Sequence, residues 1–213
     1  MTEPKPRRSG RIRMTSAERR EQLITIARGL FAQKGYEATS VEEIAARAEV
    51  SKPVVYEHFG GKEGLYAVVV DREVRALLDG VTQSLTAGRA HELVEQAALA
   101  LLDYIENNSD GFRILVRDSP VGSSTGSFIS ILSDVATRVE HILAENFKRR
   151  GLDPKNAPMY AQMLVGMVAL TGQWWLDARK PKKPDVAAHL VNLAWNGLSG
   201  LEAKPTLSTR PHK

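Results

Sequence analysis

The chain has 213 residues, of which 43% are hydrophobic and 25% charged, and it contains no cysteine. This ordinary globular composition excludes a wholly disordered chain, and the missing thiols exclude a disulfide framework, a thiolate nucleophile and any Cys-ligated zinc or iron–sulfur site. The formal net charge is +4, and residues 1–13 hold all of it, with Lys5, Arg7, Arg8, Arg11 and Arg13 against Glu3 alone. A block this polar cannot bury a core of its own and suits attraction to a polyanion. The N-terminus has no apolar run of the kind that heads a secretory signal, so the chain is expected in the cytoplasm.

Beyond the basic arm, apolar residues recur at helical spacing, and neither a two-residue alternation nor a hairpin turn is found, which predicts an all-α fold. The first helix is expected over Ser16–Lys34, capped by Thr15 or Ser16 with Glu18 in its first turn, burying Leu23, Ala27, Leu30 and Phe31 and stopped by Gly35. Thr39-Ser40-Val41-Glu42-Glu43 has the spacing of a capping box and opens a second helix from Val41 to Ala48. Ser51 caps a third through Phe59, with Pro53 in the first turn and Gly60-Gly61 ending it. A fourth helix starts near Lys62 and a fifth covers His91–Asn107. Asn108–Gly111 reads as a turn before the apolar piece Phe112–Val116, and Pro120–Gly126 as a loop. Long helices follow from Phe128 to Arg150, from Pro158 to Arg179 and from Asp185 to Gly200. The division expected is a basic flexible arm (1–14), a three-helix helix-turn-helix module (15–61), a larger helical domain (62–203) and a frayed tail (204–213), with about nine helices in all.

The spacing within 41–59 carries the chemistry. Two short helices joined by a three- or four-residue turn cross steeply and need small residues where they meet, which Ala45 and Ala48 supply. Val50, Val55 and Phe59 then point inward. Lys52, Val54, Tyr56, Glu57 and His58 are left on the outer face beside Ser51. A cation, a phenol and an imidazole on one helix suit the major groove of double-stranded DNA, which admits a helix and offers donors, acceptors and thymine methyls.

The run TSVEEIAARAEVSKPVVYEHFGGKEGLY, with Ala27, Phe31, Gly35 and Tyr36 before it, resembles the signature of TetR/AcrR-type transcriptional regulators. The resemblance implies that Ser51, Lys52, Pro53, Val54 and Tyr56 enter the groove, that Tyr56, His58 and Lys62 hold phosphates, and that Thr39 and Ser40 offer donors at the start of the second helix. Two residues depart from the family pattern. Glu49 stands in the turn where glycine is usual, and Glu57 puts an anion on the reading helix. The residues from Met14 to Leu65 are slightly acidic, so long-range attraction falls to Arg7, Arg8, Arg11 and Arg13, an arm expected to enter the minor groove beside the reading helix.

The resemblance also implies a small-molecule effector held among Tyr104, Phe112, Phe128, His141, Met163, Met167, Thr171, Trp174 and Trp175, with Gln162 and Gln173 as further polar handles. Ala161, Val165, Gly166, Val168, Ala169 and Gly172 on the eighth helix, with Leu190, Val191, Leu193, Ala194, Trp195 and Leu198 on the ninth, read as a homodimer face. A dimer sets two reading helices roughly 34–36 Å apart and implies a palindromic operator.

An enzyme is not expected. The histidines at 58, 91, 141, 189 and 212 show no metal-ligand spacing, and no phosphate loop, dinucleotide fingerprint or nucleophile elbow is present. No metal and no cofactor is implied, since Asp134, Arg138, His141 and Glu145 read as i, i+4 ion pairs. Met159–Leu176 carries no charge but is too short, and too diluted by Gln162, Thr171 and Gln173, for a membrane span. The reading is a ligand-responsive repressor. Its rival is a helical DNA-binding protein without an effector, regulated by protein contacts.

Overall fold

Thr15 opens the first helix with a reciprocal capping box: its hydroxyl accepts the Glu18 N–H at 3.2 Å, and its own N–H donates to the Glu18 carboxylate at 2.7 Å. The helix it opens, α1 (Ser16–Lys34), buries Leu23, Ala27, Leu30 and Phe31 completely or nearly so and ends at Gly35, whose φ is +82°. The computed structural model describes residues 14–84, 90–116 and 128–206, and all regular structure among them is helical. The basic arm and the expected loop at 120–126 lie outside the described residues.

α2 (Val41–Arg47) is capped by the Ser40 hydroxyl, which accepts the Glu43 N–H at 3.1 Å. The expected capping box is left half-formed, because the Glu43 carboxylate accepts from Lys34 at 2.6 Å. α3 (Lys52–Phe59) follows a tight turn in which Glu49 takes the left-handed backbone (φ +53°) that the family pattern reserves for glycine. A non-glycine residue there costs about 1 kcal/mol. Gly60, at φ +73°, ends α3, and α4 (Lys62–Ser84) begins.

The remaining elements are α5 (Ala90–Asn107), α6 (Ser109–Val116), α7 (Phe128–Arg150), a 3₁₀ turn (Pro154–Asn156), α8 (Ala157–Ala178) and α9 (Lys183–Ser199). The turn expected at 108–111 is instead the first turn of α6. Gly111 is there for space rather than for a reversal of the chain. It is buried in the helix, and a β-carbon on it would stand 1.8 Å from Glu73 Oε2 and 2.9 Å from Tyr104 Oη.

Internal contacts divide the chain within α4, after Tyr66. In the first unit α2 packs on α1 and α3 on α2, around Leu23, Leu30, Ile44, Val55 and Leu65, all fully buried. Phe31, Tyr36 and Tyr66 add a ring cluster with centroids 4.8–6.2 Å apart. In the second unit α7 pairs with α8, and α5 lies against α8 and α9. The α7–α8 seam is filled by Ala136, Leu143, Phe147, Ala157, Ala161 and Val165. Gly172 is no part of an outer face. A β-carbon there would sit 2.8 Å from Ile105 Cδ1, so glycine lets α8 approach α5.

Candidate nucleic-acid interface and apolar cavity

Two arginines on α1 fix the short helices. Arg19 donates to the Ala48 carbonyl at 3.3 Å, and Arg20 to the His58 carbonyl at 3.1 Å while its guanidinium lies 4.4 Å from the Phe59 ring centre. Each thus places a cation on the last carbonyls of α2 or α3, where the helix dipole favours it. Phe59 is therefore covered from α1. Nothing local in the sequence marks these two arginines, because their partners lie 29 and 38 residues away.

Held in this way, α3 buries Val55 completely and turns Ser51, Lys52, Pro53, Tyr56 and Glu57 outward, with Val54 and His58 half-buried. Tyr56 is 46% exposed. Ser51 takes the N-cap backbone conformation without a side-chain cap hydrogen bond, so its hydroxyl is left to the outside. The Lys52 ammonium is ion-paired with Glu42 in the first turn of α2 and stands 6.0 Å from the Tyr56 ring centre. The hydrogen bond between them raises the Lys52 pKa and, from the other side, lowers that of Glu42. Both groups therefore remain ionised at neutral pH. The face is a small polar and aromatic surface whose one cation is already neutralised by a carboxylate.

The expected phosphate contacts fare unevenly. Ser40 is exposed at the start of α2. Thr39 is a correction: it is 1% exposed, its hydroxyl donates to the Gly35 carbonyl at 2.7 Å and its N–H to the Tyr36 carbonyl at 3.3 Å, so both donors are spent inside the module. Lys62 is a second. Its ammonium donates to the Tyr36 carbonyl at 3.0 Å and lies 4.2 Å from the Tyr36 ring centre, fastening the start of α4 to the α1–α2 connection. Burial first, and the nearby carboxylates of Glu63 and Glu37 second, push the Tyr36 phenol above its usual pKa. Arg7, Arg8, Arg11 and Arg13 lie outside the described residues.

The second unit has a partly open cavity of about 170 Å³ lined by α4, α5, α7, α8 and α9. Its wall includes Leu77, Leu78 and Val81 of α4, Leu93 and Ala97 of α5, Val135 and Val139 of α7, Leu164, Met167 and Val168 of α8, and Trp195 and Leu198 of α9. Of the nine residues expected around an effector, only Met167 lines it. Tyr104, Phe112 and Trp175 are core residues. The Tyr104 hydroxyl donates to the buried Glu73 carboxylate at 2.8 Å, and the Trp175 indole N–H to the Pro181 carbonyl at 2.8 Å. Thr171 is half-buried, while His141, Met163 and Trp174 are on the surface. The side chain of Phe128 lies outside what is described. Sequence reasoning missed Glu73, and only the close approach of Gly111 reveals why it matters.

The face expected for a partner copy also shifts. Ala161, Val165 and Ala169 on α8 and Leu190, Val191 and Ala194 on α9 are buried within the chain. The exposed apolar residues of α8 are Met159, Met163, Leu170 and Trp174, at positions that form one stripe on the 3.6-residue helix, and Leu193 on α9 is 64% exposed. No helix among the described residues is long and apolar enough to cross a membrane.

Comparison with known proteins agrees with this geometry. Residues 23–69 match the family described as bacterial regulatory proteins of the tetR family, and residues 90–197 match its tetracyclin repressor-like C-terminal domain. The chain is 34% identical over 190 residues to the HTH-type transcriptional activator FasR of Mycolicibacterium smegmatis, spanning 88% of this chain and 86% of that one. In three dimensions it is similar to a TetR-like transcriptional regulator from Rhodococcus sp. RHA1, with a TM-score of 0.75 at 25% identity over 89% of this chain and all of that one. A tetR-family regulator from Streptomyces coelicolor has the same fold, with a TM-score of 0.64 at 24% identity over 85% and 80% of the two chains. The exposed face of α3, its two arginine clamps and this likeness over both parts of the sequence place the chain in the TetR family of DNA-binding transcriptional regulators, which are not enzymes.

Proposed function

We propose that the protein is a homodimeric regulator that reads a palindromic operator with α3 and changes its grip on that operator when a small molecule enters the cavity of the second unit. The observation that carries the reading is the outward face of α3: Ser51, Lys52, Pro53 and Tyr56 exposed around a fully buried Val55. Lys52 reaches a guanine edge or a phosphate, Pro53 and Val54 meet thymine methyls, and Ser40 and Tyr56 hold the backbone. Two copies pair through the exposed stripe on α8 with Leu193 of α9, since contiguous apolar surface of this kind marks an association site.

α4 supplies the coupling. Leu77, Leu78 and Val81 touch the cavity, while the same helix carries Lys62 and Tyr66, packed on Tyr36, at its other end. A ligand that favours one position of α4 biases where the helix begins, and with it the spacing of two reading helices. In a repressor, effector binding releases the operator. Activation is the second reading, favoured by the name of the relative from Mycolicibacterium smegmatis, a transcriptional activator.

Selection of bound fragments from randomised duplex DNA tests the core of the proposal. The expected product is a two-fold symmetric site with half-sites about 10 base pairs apart. Recovery of random sequence at physiological salt overturns it. Transcription from the selected site, measured with and without the protein, separates repression from activation.

A further inference from the structure

The chemistry of the cavity wall selects its occupant. Every lining side chain is apolar, none is charged, and only Met167 and Trp195 carry a heteroatom. Of the large aromatic residues expected around a ligand, Phe112 is fully buried in the core, Tyr104 is bonded to Glu73 and Trp175 is tied to Pro181. The shape is narrow as well. A compact void of this volume would be about 7 Å across, yet the lining on α7 runs from Leu132 to Leu143, about 16 Å at 1.5 Å per residue. A slot that is long, thin and offers one side-chain donor, the Trp195 indole N–H, rejects planar polycyclic and polar ligands. It rewards each methylene placed in it.

We infer that the effector presents an unbranched aliphatic chain, which lies in this slot while its polar end stays outside. The inference deepens the effector reading above and rests on it only for the consequence at the operator. An apolar cavity of about 150 Å³ takes a six-carbon ring, so this slot buries roughly six to eight carbons of an extended chain. The polar end remains where water can solvate it, because the wall holds no charged group and the Trp195 indole N–H, its one side-chain donor, cannot replace that water alone.

The test is a titration of the full-length protein with straight-chain carboxylates and primary alcohols of four to twelve carbons, read by calorimetry. Affinity is expected to climb about fourfold per methylene, the equivalent of ~0.8 kcal/mol, and to level off once the slot is full. Carboxylate and alcohol of equal length should agree within about threefold, and 2-naphthoate should bind at least tenfold more weakly than decanoate. Ala97→Leu, which fills part of the wall, should move the levelling point to shorter chains, its fold being checked by circular dichroism. A flat dependence on length, equal or tighter binding of 2-naphthoate, a strong preference for one head group, or no binding at all would overturn the inference. Chains that bind as expected yet leave operator affinity unchanged would remove the effector reading and leave the slot's chemistry standing.

Discussion

Lys52, the first residue of α3, is ion-paired with Glu42 in the first turn of α2. The pair holds the only cation of the outward face of α3 and offsets its attraction to phosphate, so the expected outcome is low affinity of this face for random DNA until a matched sequence displaces the carboxylate. Glu42→Gln is expected to raise affinity for random duplex several-fold, to reduce discrimination, and to steepen the salt dependence by about 0.9 log units for each additional phosphate neutralised. Because the Glu42 pKa is lowered by its hydrogen bond with Lys52, the carboxylate is ionised at every pH above the usual carboxylate range. The effect of the substitution should therefore be the same at about pH 7.5 and pH 5.5. Filter binding across a salt series at both pH values measures it; an unchanged slope refutes the idea.

Thr39 and Lys62 stabilise the module. Thr39→Val and Lys62→Met should each cost about 1–2 kcal/mol in urea denaturation, by removing a buried or charged hydrogen bond. The folded variants should bind the selected operator within about twofold of the parent, whereas Lys52→Ala and Tyr56→Ala should lose most of the preference for it. A selective loss of DNA affinity in Thr39→Val at unchanged stability would restore its expected phosphate role.

Glu49 pays for a left-handed backbone at the turn between α2 and α3. Replacing it with glycine removes a steric cost of about 1 kcal/mol and adds about 0.4–1 kcal/mol of unfolded-state entropy, so the net gain is at most about 0.6 kcal/mol. Thermal denaturation of Glu49→Gly checks the sign.

Gly111→Ala should destabilise the second unit by about 2–3 kcal/mol, because the added methyl overlaps the Glu73 carboxylate. In a Glu73→Ala background the same change should cost less than about 1 kcal/mol. Equal costs in the two backgrounds would show that space at Glu73 is not why glycine stands there.

Deletion of residues 1–13 should flatten the salt dependence by about 0.9 log units for each phosphate that the arm neutralises. An unchanged slope would confine the role of Arg7, Arg8, Arg11 and Arg13 to something other than DNA.

Helix ends and the reading face could be read from the chain because the forces that set them act over three or four residues. Thr15 with Glu18, Ser40 with Glu43, and Gly35 and Gly60 as stops are local hydrogen-bond and backbone preferences. Val55 inward and Lys52 and Tyr56 outward follow from helical periodicity. The cavity was decided elsewhere. Trp174 and Trp175 look equivalent as residue types, but successive residues on a helix point about 100° apart, and here one is 55% exposed and the other 2%. Which of the two turns inward depends on where α5 and α9 lie, and that is set by contacts such as Gly172 against Ile105. The cavity wall is accordingly built from leucines and valines on five helices, a residue type too common in any core to stand out before the helices are assembled. Sequence specified most helices and the outward face of α3; the packing of helices far apart in the chain determined which apolar residues surround empty space.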